Sequence, residues 1–287
     1  MSDAFKPWSP PVSRTSSWPA TRLERTLAAS SAEGRAALGL YLPIGYPTRS
    51  ASVDALHFMA QSADVLELGV PHTHPVLDGP VIRQAAAEAL AGGFRMRDLF
   101  AAASELSASS PAALVVMSYW APIAEYGPRP FAYELAAAGG SGVLIPDLPE
   151  SEATGWQAAA GAAGLSTIAL IPAHASAARL AAIGAATTGM VYAPATPGPT
   201  GGQGPLRPYL PRLVRRLREA TRLPVAVGIG ISTPAQAEYA SGFADAVVVG
   251  SAVIRRMQDQ PNSPAAAAAA AARDFAEGVH SARRTLS

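Results

Sequence analysis

Short apolar runs recur along the chain, separated by longer segments with helical periodicity. The runs are Leu38–Leu42, Val65–Leu68, Ala113–Met117, Gly142–Ile145, Thr167–Ile171, Gly189–Tyr192, Val225–Val227 and Ala246–Val249. Most do not alternate in polarity, the pattern of parallel strands covered on both faces. Helical spacing follows in Ser52–Gln61, Val81–Ala91, Met96–Leu106, Phe131–Ala138, Ser151–Ala163, Ala175–Ile183, Leu206–Ala220 and Pro234–Ser241. This alternation predicts an α/β fold, a single (β/α)8 TIM barrel, with a doubly wound sheet as the structural alternative. Leu23–Ser31 reads as an extra N-terminal helix that can plug the bottom of the barrel. The low-complexity run Ala265–Ala272 reads as part of an Ala-rich C-terminal helix.

Residues 1–20 carry prolines at 7, 10, 11 and 19 among several serines, and no hydrophobic stretch like that of a signal peptide. They are expected to form a flexible N-terminal extension, with 21–287 as the barrel domain. The 287 residues are 49% hydrophobic and 15% charged, so a large core is feasible. No apolar run is long enough to cross a bilayer, and a cytoplasmic protein without membrane contact is expected. Net charge is +1, and Arg212, Arg215, Arg216 and Arg218 fit the solvated face of one helix. Nucleic acid is not an expected partner. There is no cysteine, and the sole lysine is Lys6, which excludes thiolate chemistry and a lysine Schiff base in the barrel.

Candidate chemistry concentrates in Val65–Pro80, where Glu67 sits inside an apolar run and Asp78 lies in the loop beyond it. A lone carboxylate in a buried strand is expensive unless it has a partner or a task. Two such acids can divide the work, one moving protons and one fixing a polar substrate atom. The structural alternative is a Glu satisfied by backbone amides and an Asp capping the next helix. Downstream, Gly228-Ile229-Gly230-Ile231-Ser232 and Gly250-Ser251 follow the last two runs. Two glycine turns after strands seven and eight of a barrel suit a phosphate, although each can also be an ordinary tight turn. His72 and His74 have a spacing that metals use, with Glu67 or His174 as third-ligand candidates, but nothing demands an ion and solvated loop histidines fit as well. Tyr41, Tyr119, Trp120 and Tyr192 lie near strand ends, where aromatics line a pocket or simply fill core. The segment Ala193–Pro205 holds four glycines and four prolines and is long for such a connection, as a lid or an irregular surface loop would be.

At these residues the sequence resembles the tryptophan synthase alpha subunit family, over roughly residues 22 to 258. The resemblance is carried by Glu67-Leu-Gly-Val-Pro with Asp78-Gly-Pro, Pro146-Asp147-Leu148-Pro149, Tyr192 with Gly198-Pro-Thr-Gly201, Gly228-Ile-Gly-Ile-Ser232 and Gly250-Ser-Ala252. It implies a barrel lyase that cleaves indole-3-glycerol phosphate to indole and glyceraldehyde 3-phosphate by a retro-aldol reaction, without cofactor or metal. By this resemblance Glu67 is the acid/base and Asp78 accepts from the indole N–H. Tyr41, Tyr192 and Ile229 line the indole pocket, and Thr200 belongs to the lid. Gly201, Gly230, Gly250 and Ser251 hold the phosphate.

The chain departs from the family where a beta subunit normally docks. His72-Thr73-His74 stands in place of Phe-Ser-Asp or Tyr-Ser-Asp, Ala121 replaces an asparagine, and Thr196 replaces a lid arginine. These changes put the beta partner in doubt more than the chemistry. A lyase working without that partner, in tryptophan biosynthesis or a specialised indole pathway, is the leading expectation. An ordinary alpha subunit with a drifted interface, a non-catalytic ligand-binding relative and another phosphate-handling barrel such as an epimerase or isomerase are the alternatives.

Overall fold

The computed structural model describes residues 19–172, 175–196 and 204–281. Almost all of the expected N-terminal extension, together with His174, Thr200, Gly201 and the middle of the Ala193–Pro205 segment, lies outside the described residues. Eight strands form a closed, all-parallel barrel in sequence order. They are β1 (Ala37–Pro43), β2 (Val65–Gly69), β3 (Ala113–Met117), β4 (Gly140–Leu144), β5 (Ser166–Leu170), β6 (Met190–Pro194), β7 (Val225–Gly228) and β8 (Ala246–Val249). Every expected strand is present, with ends moved by at most two residues.

Twelve helices are found among the described residues. The first five are α1 (Arg22–Ala32), α2 (Arg49–Met59), α3 (Pro80–Ala91), α4 (Met96–Ser109) and α5 (Trp120–Tyr126). Next come α6 (Pro128–Ala137), α7 (Glu150–Ala163), α8 (Ala177–Ala186) and α9 (Leu210–Ala220). The last are α10 (Pro234–Ser241), α11 (Ser251–Asp259) and α12 (Pro264–Ser281). The helix expected from Leu206 begins only at Leu210, because Pro208 disfavours helical backbone in the residue before it. Helices α5 and α11 were not among the segments expected from periodicity. On α9 the hydrophobic stripe Leu210, Leu213, Val214 and Leu217 faces inward, leaving Arg212, Arg215 and Arg218 exposed as anticipated. None of the described helices is long and apolar enough to cross a membrane.

The barrel interior has two layers of different character. At its N-terminal end the inward positions are small, with Ala37, Ala113, Ala226 and Ala246 among them. The space they leave is filled by Leu23 and Leu27 of α1, so the extra helix does plug the bottom. That helix starts at a capping box in which Thr21 and Glu24 satisfy each other's backbone amides. Thr21 is also tied to Ser166 at the start of β5, hydroxyl to hydroxyl at 2.8 Å. Outside the barrel, Leu38, Leu40 and Leu42 alternate with the inward positions of β1 and join the larger core beneath the helices.

Candidate active site

Every strand, or the turn that follows it, sends a residue to one cavity at the C-terminal end of the barrel. Tyr41, Glu67, Met117 and Leu144 come from β1 to β4, and Leu170 and Tyr192 from β5 and β6. Ile229 and Gly230 follow β7, while Gly250 and Ser251 follow β8. Asp78 closes the wall from the loop after β2. Eight site residues expected from the sequence therefore meet around one space: Glu67, Asp78, Tyr41 and Tyr192 from the floor and walls, and Ile229, Gly230, Gly250 and Ser251 from the glycine turns.

Register explains why Tyr41 sits beside the glutamate. Tyr41 on β1 pairs with Glu67 on β2, and both point inward. The Tyr41 ring lies over Gly69 and the Tyr192 hydroxyl over Gly228, at positions where any β-carbon would collide with them. The Tyr192 oxygen accepts a hydrogen bond from the Ile229 backbone N–H. Burial pushes both phenols well above their ordinary range, and the Glu67 charge adds to the effect on each.

Glu67 is 7% exposed, and its carboxyl is hydrogen-bonded to none of the described residues. The alternative in which backbone amides satisfy it is thus not what the fold builds. Burial raises its pKa to about 8, with a further push from the Asp78 charge. Asp78 is 6% exposed, and burial raises it to about 6, against the lowering effects of a Tyr119 hydrogen bond and of Arg83. Asp78 thus ionises first, and its charge then opposes ionisation of Glu67. The two titrate as a pair. Around neutral pH the favoured state is one carboxylate and one carboxylic acid.

Asp78 does not cap α3, contrary to the structural alternative. The cap position is Gly79, and no side chain caps that end. Instead the Tyr119 hydroxyl donates to Asp78 Oδ1 at 3.2 Å and accepts from the Leu77 N–H at 3.0 Å. Tyr119 therefore holds both the acid and its loop. His72 is half-buried rather than freely solvated, its ring 5.5 Å from that of Tyr119. Burial lowers its pKa, as does His74, while Asp147 opposes the shift. His74 is exposed, with the two imidazoles 6.1 Å apart. Among the described residues no cluster of three potential ligands would hold a metal.

The far side of the cavity is backbone. Ile229 has φ 55° and Gly230 φ 111°, which turns the chain sharply after β7. Gly250 caps α11, whose first amides have no partner within the helix. Met117, Leu144, Leu170 and Val248 complete an apolar wall that was not singled out in the sequence. Their signal is period two: each stands at an inward position of its strand. Tyr119 was visible as a strand-end aromatic, but its link to Asp78 depends on two loops meeting.

The family profile described as "Tryptophan synthase alpha chain" matches residues 27–282. A tryptophan synthase alpha chain from Streptomyces coelicolor is 44% identical over 260 residues, 90% of this chain and 96% of that one. One from Thermobifida fusca is 44% identical over 272 residues, covering 92% and 100% respectively. Among solved structures, tryptophan synthase from Mycobacterium tuberculosis superposes with a TM-score of 0.84 at 40% identity, over 91% of this chain and 99% of that one. The alpha subunit from Legionella pneumophila gives 0.81 at 30% identity, over 92% and 100%. With the profile spanning nearly the whole barrel, this chain belongs to the tryptophan synthase alpha chain family.

Proposed function

We propose that the chain is a lyase that cleaves indole-3-glycerol phosphate to indole and glyceraldehyde 3-phosphate. One observation carries this reading beyond family membership. Two buried carboxyl groups, Glu67 and Asp78, face the same apolar cavity, and its opposite side is a pair of glycine turns. An aryl group fits between Met117, Leu144, Leu170 and Ile229. The phosphate belongs at Gly230, Gly250 and Ser251, where a helix N-terminus and free amides supply positive potential without lysine. Thr200 and Gly201 are assigned to the same site by family resemblance.

The chemistry then follows from the two acids. Asp78, ionised, accepts from the indole N–H and stabilises the cation that forms when C3 is protonated. Glu67, still carrying its proton, delivers it to C3. As carboxylate it takes the proton of the hydroxyl on the adjoining glycerol carbon. The carbon–carbon bond breaks as that oxygen becomes an aldehyde, and the electron pair returns to the ring. The proton has moved from oxygen to carbon and Glu67 is restored. Excluding water strengthens each of these electrostatic effects. Incubating the purified chain with indole-3-glycerol phosphate and following both products tests the reading. Stoichiometric release of indole and triose phosphate is expected. No cleavage, with or without an added beta subunit, would refute it.

For the partner, His74 and Ala121 are both exposed at the cavity end, His74 on the loop after β2 and Ala121 in the first turn of α5. They favour weak coupling to a beta subunit from a typical complex, since an acid and an amide of the family are absent there. A co-inherited partner with matching changes remains compatible with an ordinary alpha role.

A further inference from the structure

Arg207 is a cation buried to 8% exposure in the segment after β6. Its backbone N–H donates to the Ala195 carbonyl at 2.9 Å, and its Nη2 donates to the Thr196 carbonyl at 3.0 Å. Nη1 reaches the Tyr209 hydroxyl, while Nε is buried with no partner among the described residues. No carboxylate of the described residues pairs with this guanidinium. The segment from Ala193 to Tyr209 contains no acidic residue that could do so. A buried charge left without a counter-charge is costly, and it is retained where something else uses it.

Thr196 shows what that use can be. Its N–H and its hydroxyl both donate to the Ile229 carbonyl, at 3.1 and 3.0 Å. Its side chain fills the space that a β-carbon on Gly230 would need. Ile229 is a β-branched residue in the left-handed region, a conformation that persists only when its surroundings enforce it. Thr196 is that enforcement, and Arg207 fixes Thr196. The unpaired cation thus stands two hydrogen bonds from the turn that lines the cavity at Ile229 and Gly230.

We infer that Arg207 is a positioning residue for the substrate's phosphate. It holds the Thr196 carbonyl, thereby fixes the amides of the Ile229–Gly230 turn, and contributes an uncompensated positive charge behind them. This rests on the phosphate assignment under the proposed function, and the test separates the two.

Calorimetric titration with glycerol 3-phosphate and, separately, with indole is run on the parent protein, Arg207→Met, Arg207→Lys and Thr196→Val. In Arg207→Met we expect glycerol 3-phosphate to bind roughly tenfold more weakly, about 1.4 kcal/mol, with indole affinity unchanged. Arg207→Lys should recover most of the loss, because it keeps a charge and one donor. Thr196→Val keeps the shape and loses one link, so a smaller loss in the same direction is expected even if Arg207→Met does not fold. In steady state the KM for indole-3-glycerol phosphate should rise in Arg207→Met more than kcat falls. Parental phosphate affinity in either Arg207→Met or Thr196→Val overturns the inference, as does an equal loss of indole affinity. A parent protein that binds indole but not glycerol 3-phosphate overturns the phosphate assignment, and the inference with it.

Discussion

At the N-terminal end of the barrel, Leu23 and Leu27 press against alanines in an apolar cluster. At the C-terminal end of the same barrel the interior holds Glu67 beside Tyr41, with Tyr192 and Asp78 lining the same cavity. The bottom is built for transfer free energy: each buried leucine contributes about 1.5–3 kcal/mol. The top is built against it. Its acid has no hydrogen-bond partner among the described residues, and burial pushes its pKa up to about 8. A cavity that penalises charge is unfavourable for stability but supplies a proton donor at neutral pH. The barrel tolerates the upper end because the lower end and the helical shell carry the fold.

The sharpest way to break this contrast is to change one acid. Asp78→Asn should lower turnover of indole-3-glycerol phosphate by about 10²–10⁴-fold, the usual range for an acid–base group, with thermal unfolding close to that of the parent. Near-parental indole release would remove Asp78 from the mechanism. The opposite change belongs at the bottom. Leu23→Ala should cost about 2–5 kcal/mol in denaturant unfolding, while kcat measured well below the unfolding temperature stays near the parental value. If turnover collapses while the fold survives, the two ends are not independent.

The titration of the pair sharpens the comparison further. With Asp78 needed as carboxylate and Glu67 as acid, kcat/KM should rise with pH through about 6 and fall through about 8. The two limbs belong to the coupled pair rather than to either residue alone. A flat profile from pH 5 to 9 would contradict the assignment. The smallest effect is expected at the rim. His74→Asp combined with Ala121→Asn should tighten binding to a heterologous beta subunit by roughly tenfold, on the order of 1.4 kcal/mol. Unchanged affinity by titration would show that these two positions do not govern partnership.

Architecture was legible in the sequence because parallel strands covered on both faces leave uninterrupted apolar runs, and most runs were followed by glycine, proline or serine. Glu67 was legible for the converse reason, as the one charge inside such a run. The glycine turns were legible from their place after the last two strands. What the sequence concealed was created by closure of the barrel. Met117, Leu144 and Leu170 look like any strand residue until the inward face is known. Tyr119 acquires its role only when the loop after β3 meets the loop after β2. Arg207 reads as a surface arginine among prolines, and nothing local announces that it is buried without an acid. The onset of α9 was misplaced because an apolar Leu206 continues the helical period that Pro208 interrupts.

The account turns on Glu67, where function and stability should move in opposite directions. Its folded pKa of about 8 lies above its ordinary 4.5, so the fold binds a proton that the unfolded chain releases. The resulting stability is fully present below pH 4.5 and is lost as pH rises through about 8. Glu67→Gln removes that loss. The most direct measurement is denaturant unfolding of parent and Glu67→Gln at pH 5 and pH 9, with indole release by both at pH 7. We expect the variant to gain stability relative to the parent on going from pH 5 to pH 9, by up to about 4 kcal/mol, while turnover falls at least about 100-fold. A variant that cleaves substrate at the parental rate, or whose stability difference from the parent is the same at both pH values, would contradict a buried proton donor at the top of the barrel.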